Sequence, residues 1–285
     1  MGLIPDACRV PHAYADRMVE RSNVGGAAFS RVVCGIDGSA EAQEASREAS
    51  LLVADGAHLL LVEVLVPALV GSLATAIPGG TTVPEGAGRV AARADLERAR
   101  AAIPDAVEVA VAIRVGPAGA MLQREAARVL ADTLAVGGRG HGRAAGVLLG
   151  SVATQLLHSA PCSVLVARAT MTKPFPQSIV VGLDGSEPSR RALQHARELA
   201  GRIGVPLRVV HILDGRLPPG ALQADLNEEL EEIPVSWSTS DGLSAEVTSA
   251  DLLIVGSRGL RGVRALGSVS ETVAHRAPSS VLVVR

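Results

Sequence analysis

One feature constrains this chain more than any other: its second half restates its first. The run Arg31-Val32-Val33-Cys34-Gly35-Ile36 leaves through Asp37-Gly38-Ser39, and Ser178-Ile179-Val180-Val181-Gly182-Leu183 leaves through Asp184-Gly185-Ser186. Asp132-Thr133-Leu134-Ala135-Val136-Gly137-Gly138-Arg139-Gly140 returns as Asp251-Leu252-Leu253-Ile254-Val255-Gly256-Ser257-Arg258-Gly259. Gly150-Ser151-Val152 through Arg168 is tracked at constant spacing by Gly267-Ser268-Val269 through Arg285. Self-similarity on this scale means one domain built twice. A chain of 285 residues has room for two such cores.

Within each copy, apolar runs alternate with helical patterns. In the first copy, strands are expected at 31–36, 59–66, 107–115, 133–137 and 163–167, with helices at 40–54, 89–102, 117–130 and 152–158. The second repeats this with strands at 178–183, 207–213, 235–239, 251–256 and 280–284. Nearly continuous apolar strands separated by helices imply a parallel sheet covered on both faces. The division expected is an N-terminal extension 1–30, a first domain 31–168, a linker 169–177 and a shortened second domain 178–285. From Asp37 to Gly137 is 100 residues, against 72 from Asp184 to Gly256, so the second copy loses chain between its second and fourth strands. Its third helix is cut to about 243–249, marginal for a helix.

Composition narrows the function. The net charge is −2, and only Tyr14, Phe29, Phe175 and Trp237 are aromatic, so no nucleic-acid surface or base-stacking platform is expected. Lys173 is the single lysine. Cys8, Cys34 and Cys162 have neither metal nor disulfide spacing, and together with a polar N-terminus without signal-peptide character they fit a cytoplasmic protein. The apolar run 59–77 contains Glu63 and Pro67, which favours a strand and loop over a membrane span.

The chemistry lies at the strand ends. In an open parallel sheet, ligands sit beyond the carboxyl ends of strands, where the chain order reverses. Asp37 ends one strand and Gly137 another. With those strands adjacent, a carboxylate that accepts ribose hydroxyls faces a glycine loop whose amides, with the helix after Gly150, suit phosphate. An Asp-Gly-Ser exit alone is an ordinary turn and helix cap; its recurrence beside a second glycine loop argues for more. Gly140-x-Gly142-x-x-Ala145 imitates a dinucleotide fingerprint, but no Asp or Glu occurs from Thr133 through Leu183 to hold a second ribose. No Gly-Lys-Ser/Thr is present for a Walker A loop.

The pattern that remains is Asp-Gly-Ser after the first strand, Ala-Asp-x-Leu-x-Val-Gly into Gly-x2-Gly-x9-Gly-Ser, then His-x-Ala-Pro before a last valine-rich strand. It resembles the universal stress protein family, and the duplication resembles its tandem members. The resemblance implies two flavodoxin-like (Rossmann-like) α/β domains of five parallel strands, pairing through their fifth strands, and an adenine nucleotide ligand, ATP with or without Mg2+. Carried over, Asp37 meets the ribose, Val64 offers backbone to adenine, Val136 and Gly137 line ribose and α-phosphate, and Gly140, Gly150, Ser151 and Val152 hold phosphates. The second set is Asp184, Ile212, Val255, Gly256, Gly259, Gly267, Ser268 and Val269, but seven rather than nine residues separate Gly259 from Gly267.

Arg139, His141 and Arg143, and in the second loop Arg258, Arg261 and Arg264, are candidates to neutralise phosphate or are simply solvated. His58 and His211 read as structural, His158 and His275 as capping groups, and 225–232 as a solvated acidic helix face. No metal cluster and no Ser-His-Asp order is legible. The expected function is an ATP-binding stress-response regulator, with at most slow hydrolysis, paired within the chain and with room for a homodimer. Two alternatives stand beside it: an adenine-nucleotide-dependent enzyme of the related α-hydrolase type, and a nucleotide-free dimerisation module.

Overall fold

The computed structural model describes residues 29–66, 86–140, 149–169, 175–213, 230, 233–239, 250–257 and 268–285. The first half runs β1 (Phe29–Ile36), α1 (Ala40–Leu52), β2 (Val53–Leu65), α2 (Ala87–Ala101), β3 (Glu108–Val115), α3 (Ala118–Arg128), β4 (Thr133–Gly137), α4 (Ser151–Ser159) and β5 (Ser163–Ala167). The second runs β6 (Ile179–Leu183), α5 (Glu187–Ile203), β7 (Leu207–Leu213), β8 (Val235–Thr239), β9 (Leu252–Gly256), α6 (Ser268–Arg276) and β10 (Ser280–Val284). The residues 225–229, 231–232 and 243–249, for which helical segments are expected, lie outside the described residues.

All ten strands form one sheet in the order β3-β2-β1-β4-β5-β10-β9-β6-β7-β8. Among the described residues each half is parallel within itself, and one antiparallel seam joins β5 to β10, with Leu165 opposite Leu282. β5 and β10 are therefore paired on both sides, and the sheet's edges are β3 and β8. Every residue of β5, β6 and β10 is buried, as strands covered on both faces require.

Two apolar layers follow from the two-residue alternation of the strands. One packs Val33, Val164, Val166, Val281 and Val283 under α3, α4 and α6, through Leu122, Leu156, Leu157 and Val273. The other packs Val32, Cys34, Leu59, Leu165 and Leu282 under α1, α2 and α5, through Ala45, Leu96 and Leu193. Both layers run unbroken from one half into the other.

Several boundaries differ by a residue or more from those read in the sequence, and at β1 and the α1–β2 junction contacts account for the difference. β1 begins at Phe29, inside the expected extension, because Phe29 is buried and stacks on His195, while Ser30 and Arg31 donate their amides to Asp132 Oδ2 at 2.7 and 3.0 Å. Helix α1 stops at Leu52 rather than 54, and β2 starts at Val53 rather than 59. The reason is a register break: Val53 pairs with Phe29 and His58 with Arg31, so the extra residues bulge around Gly56. Asp132, part of the motif, thus ties strand starts together at the end of the sheet remote from the loops, and Asp251 accepts the Gln177 amide at 2.8 Å in the same way.

Candidate functional site

β1 pairs with β2 on one side and β4 on the other, so the reversal of chain order falls between β1 and β4, where Asp37 and Gly137 emerge. The Asp-Gly-Ser exit folds identically in both copies. Gly38 and Gly185 each have φ of +81°, a left-handed conformation that a side chain resists. The amides of Ser39 and Ser186 donate to Oδ1 of Asp37 and Asp184 at 3.0 Å. Ser39 and Ser186 then cap their helices, accepting from the amides of Ala42 and Ser189.

The ordinary turn and the candidate site coexist, because they use different oxygens of one carboxylate. Asp37 Oδ1 closes the turn, while a Cβ on Gly140 would lie 2.4 Å from Oδ2. The loop comes against the strand-end carboxylate only because residue 140 has no side chain. Its two ends are tied, Gly150 donating to the Gly138 carbonyl at 2.6 Å and Gly138 to Ala167 at 2.8 Å. That bond sets the start of α4 beside the loop: a Cβ on Gly150 would lie 3.3 Å from the Gly138 carbonyl oxygen and 3.8 Å from the Gly140 nitrogen. Gly150 rather than Ser151 is the cap residue, and no side chain caps α4, leaving first-turn amides as donors at this end.

The other site residues divide by role. Gly137 is required by packing: a Cβ there would strike the Glu41 carbonyl carbon and the Ala42 nitrogen at 2.8 Å, and at Gly256 the Pro188 and Ser189 backbone at 2.4 Å. Val136 and Val255 are buried, so only their backbones reach the strand ends. Val64 lies one residue before the end of β2 in register with Arg114, and Val152 packs partly against the core. In the second half Asp184 and Gly256 occupy the matching strand ends and the Ile212 backbone pairs with Ser238. Ser268 and Val269 open α6; Gly259 and Gly267 lie outside the described residues, as do His141, Arg143, Arg258, Arg261 and Arg264.

Three charged groups here were not singled out in the sequence as site residues. Glu41, buried in the first turn of α1, accepts from the Arg139 amide at 2.5 Å and from its guanidinium at 2.8 Å. Arg168, after β5, lies against Gly138, where a Cβ would meet its Nη1 at 2.8 Å. Burial pulls its pKa down, and the Glu41 charge partly restores it. Glu63, in register with Ile36 near the end of β2, is buried, and that burial, reinforced by the Asp37 charge, raises its carboxyl to about 7.

The histidines read as structural sit accordingly: His58 and His211 are buried in β2 and β7, His58 Nδ1 lying 3.2 Å from Glu108. His158 reaches Glu271 of the other half at 3.4 Å. Cys34 and Cys162 are buried thiols, Cys162 pushed up to about 12 by burial. Among the described residues no group of His, Cys, Asp and Glu has the arrangement of a metal site, and no helix is long and apolar enough to cross a membrane.

Comparison with known proteins gives a consistent result. The universal stress protein family model matches residues 28–168, 176–243 and 239–285. A universal stress protein of Mycolicibacterium smegmatis is 33% identical over 298 residues, covering 89% of this chain and 96% of that protein. A universal stress protein of Mycobacterium tuberculosis is 30% identical over 297 residues, with the same coverage of 89% and 96%. Among solved structures, a universal stress protein from Archaeoglobus fulgidus superposes with a TM-score of 0.66 at 21% identity, over 90% of this chain and 96% of that one, which speaks for the fold.

Proposed function

This chain belongs to the universal stress protein family as a tandem member, and from that premise we propose that its first half binds an adenine nucleotide, ATP, and that occupancy regulates rather than drives turnover. One observation carries the reading: the glycine loop after β4 closes on Oδ2 of the Asp37 carboxylate, at the point of strand-order reversal, with the uncapped start of α4 beside it. The donor set fits the ligand. Asp37 would accept ribose hydroxyls, the β2 end at Val64 would offer backbone to the base, and the amides around Gly138–Gly140 and Gly150–Val152 would take phosphate, with or without Mg2+.

Asp37 is already engaged in its turn and Glu41 in its bonds to Arg139, which favours binding over catalysis. The domains assigned to this reading are 31–168 and 178–285, the second with the shorter loop and the set Asp184, Ile212, Val255, Gly256, Gly259, Gly267, Ser268 and Val269. Mass spectrometry of nucleotide released from the purified protein, followed by calorimetric titration with ATP, tests it. Gly140→Ala drives a methyl into Asp37 Oδ2 and is expected to abolish retention while the fold persists. Unchanged ATP affinity in that variant refutes the site, and stoichiometric release of AMP and pyrophosphate would transfer the protein to the α-hydrolase type of enzyme.

A further inference from the structure

We propose that Glu41 is an internal anion seated in the first glycine loop, and that it sets the affinity for phosphate-bearing ligands by competing for the Arg139 amide and guanidinium. The inference rests on the reading of this loop as a phosphate site. Glu41 holds three donors of one residue: the backbone amide at 2.5 Å, Nε at 2.8 Å and Nη2 at 2.8 Å. Charge-assisted donors in this fork are the ones a phosphate oxygen takes. The carboxylate is 9% exposed and the guanidinium 59% exposed, so the acid is fixed and the base is at the surface, able to turn to an arriving anion.

A second cation stands against the loop. Arg168 packs against Gly138, where it feels the charges of both Glu41 and Arg139. Removing the Glu41 charge therefore leaves two arginines around loop amides with no counter-charge from Glu41. The second copy is built differently. Four residues after its aspartate, where Glu41 follows Asp37, stands Pro188, which has no carboxylate to offer Arg258. At the position matching Glu41 the second copy carries no acid.

A first-turn acid also favours its own helix through the peptide dipoles, so a purely structural ion pair is the competing account, and affinity separates the two. Calorimetric titrations of the full chain and of Glu41→Gln with ATP, tripolyphosphate and adenosine form the test. Gln keeps the shape and one acceptor but removes the charge. The expected result is affinity for ATP and tripolyphosphate raised about ten-fold in the variant, with adenosine within two-fold. Unchanged or weakened binding of both anions, with ATP still bound by the parent, overturns the role of Glu41 and leaves the nucleotide reading intact. Tightened tripolyphosphate with no preference for ATP over it supports Glu41 and overturns the adenine nucleotide instead. Should neither protein bind any of the three, both readings fall. Glu41→Ala, which also removes the acceptor, guards against a residual Gln contact and is expected to follow Glu41→Gln.

Discussion

Glu63→Gln is expected to stabilise this protein, and by an amount that grows with pH. Glu63 shares with Leu59 and Leu61 the face of β2 covered by α1 and α2, so its carboxyl is held in apolar surroundings. Burial is the main cause of its raised pKa and the Asp37 charge the second, with Arg98 opposing both. The carboxyl titrates near 7 in the folded chain against an ordinary value of 4.5. Because the folded value is the higher one, protonated Glu63 favours the folded state at low pH, and this contribution drains away as pH rises from 4.5 through 7. Linkage puts the cost of carrying Glu63 at about 1 kcal/mol at pH ~5 and about 3 kcal/mol at pH ~8. Gln, uncharged and of the same shape, escapes it. Urea unfolding of parent and variant at several values between pH ~5 and ~8 should give curves that diverge by about 2 kcal/mol over that range. A difference that stays constant with pH, or a variant less stable than its parent at pH ~8, would show that Glu63 is solvated or already ionised in the fold.

Three further substitutions probe packing and backbone. Gly137→Ala and Gly256→Ala place a methyl against helix backbone at 2.8 and 2.4 Å, and are expected to cost about 1–3 kcal/mol each, the second more, as read by chemical denaturation; a neutral Gly256→Ala would mean α5 yields freely. Leu130, half exposed just after α3, has φ of +51°, so Leu130→Gly should raise stability by about 0.5–1 kcal/mol, and a loss there would mean that the leucine side chain packs more than its exposure implies.

The strands were legible because each has a signal that needs no partner: β4, β5, β7 and β8 start and stop where apolar runs meet Gly, Pro or polar residues. So was the meeting of the two strand ends, since Asp37 and Gly137 lie at the ends of adjacent strands and the repeat marks both. What eluded sequence reading depends on contacts between distant residues. Phe29 looks like the tail of a loose extension until His195, in the other half, supplies its stacking partner. Glu41 reads as a generic first-turn acid, and only a bond across 98 residues joins it to Arg139. Gly137 was read as lining the ligand, whereas the stronger demand for a glycine there is the approach of α1, which no local pattern encodes. For Arg168 there was a signal: both copies follow their last strand with arginine, at 168 and 285.

That arginine pair explains what the shortened second copy contributes. The Arg168 amide donates to Ser280 Oγ at 3.0 Å and its guanidinium to the Ala274 carbonyl, near the end of α6, at 3.0 Å. Reciprocally, the Arg285 amide donates to Ser163 Oγ at 3.3 Å and its guanidinium to the Leu157 carbonyl of α4 at 2.5 Å. Each half thus supplies carbonyls for the other's final arginine, and Ser280 also donates to the buried Glu48 of α1 at 2.7 Å. Helix carbonyls at a C-terminus favour a cation, so these bonds fix where each arginine lies. Since Arg168 packs against Gly138, the first glycine loop is shaped in part by α6 and β10. The second copy supports the first glycine loop through its end strand and last helix, whatever its own shorter loop holds. Loss of chain between its second and fourth strands leaves that support intact, because none of the supporting residues comes from there.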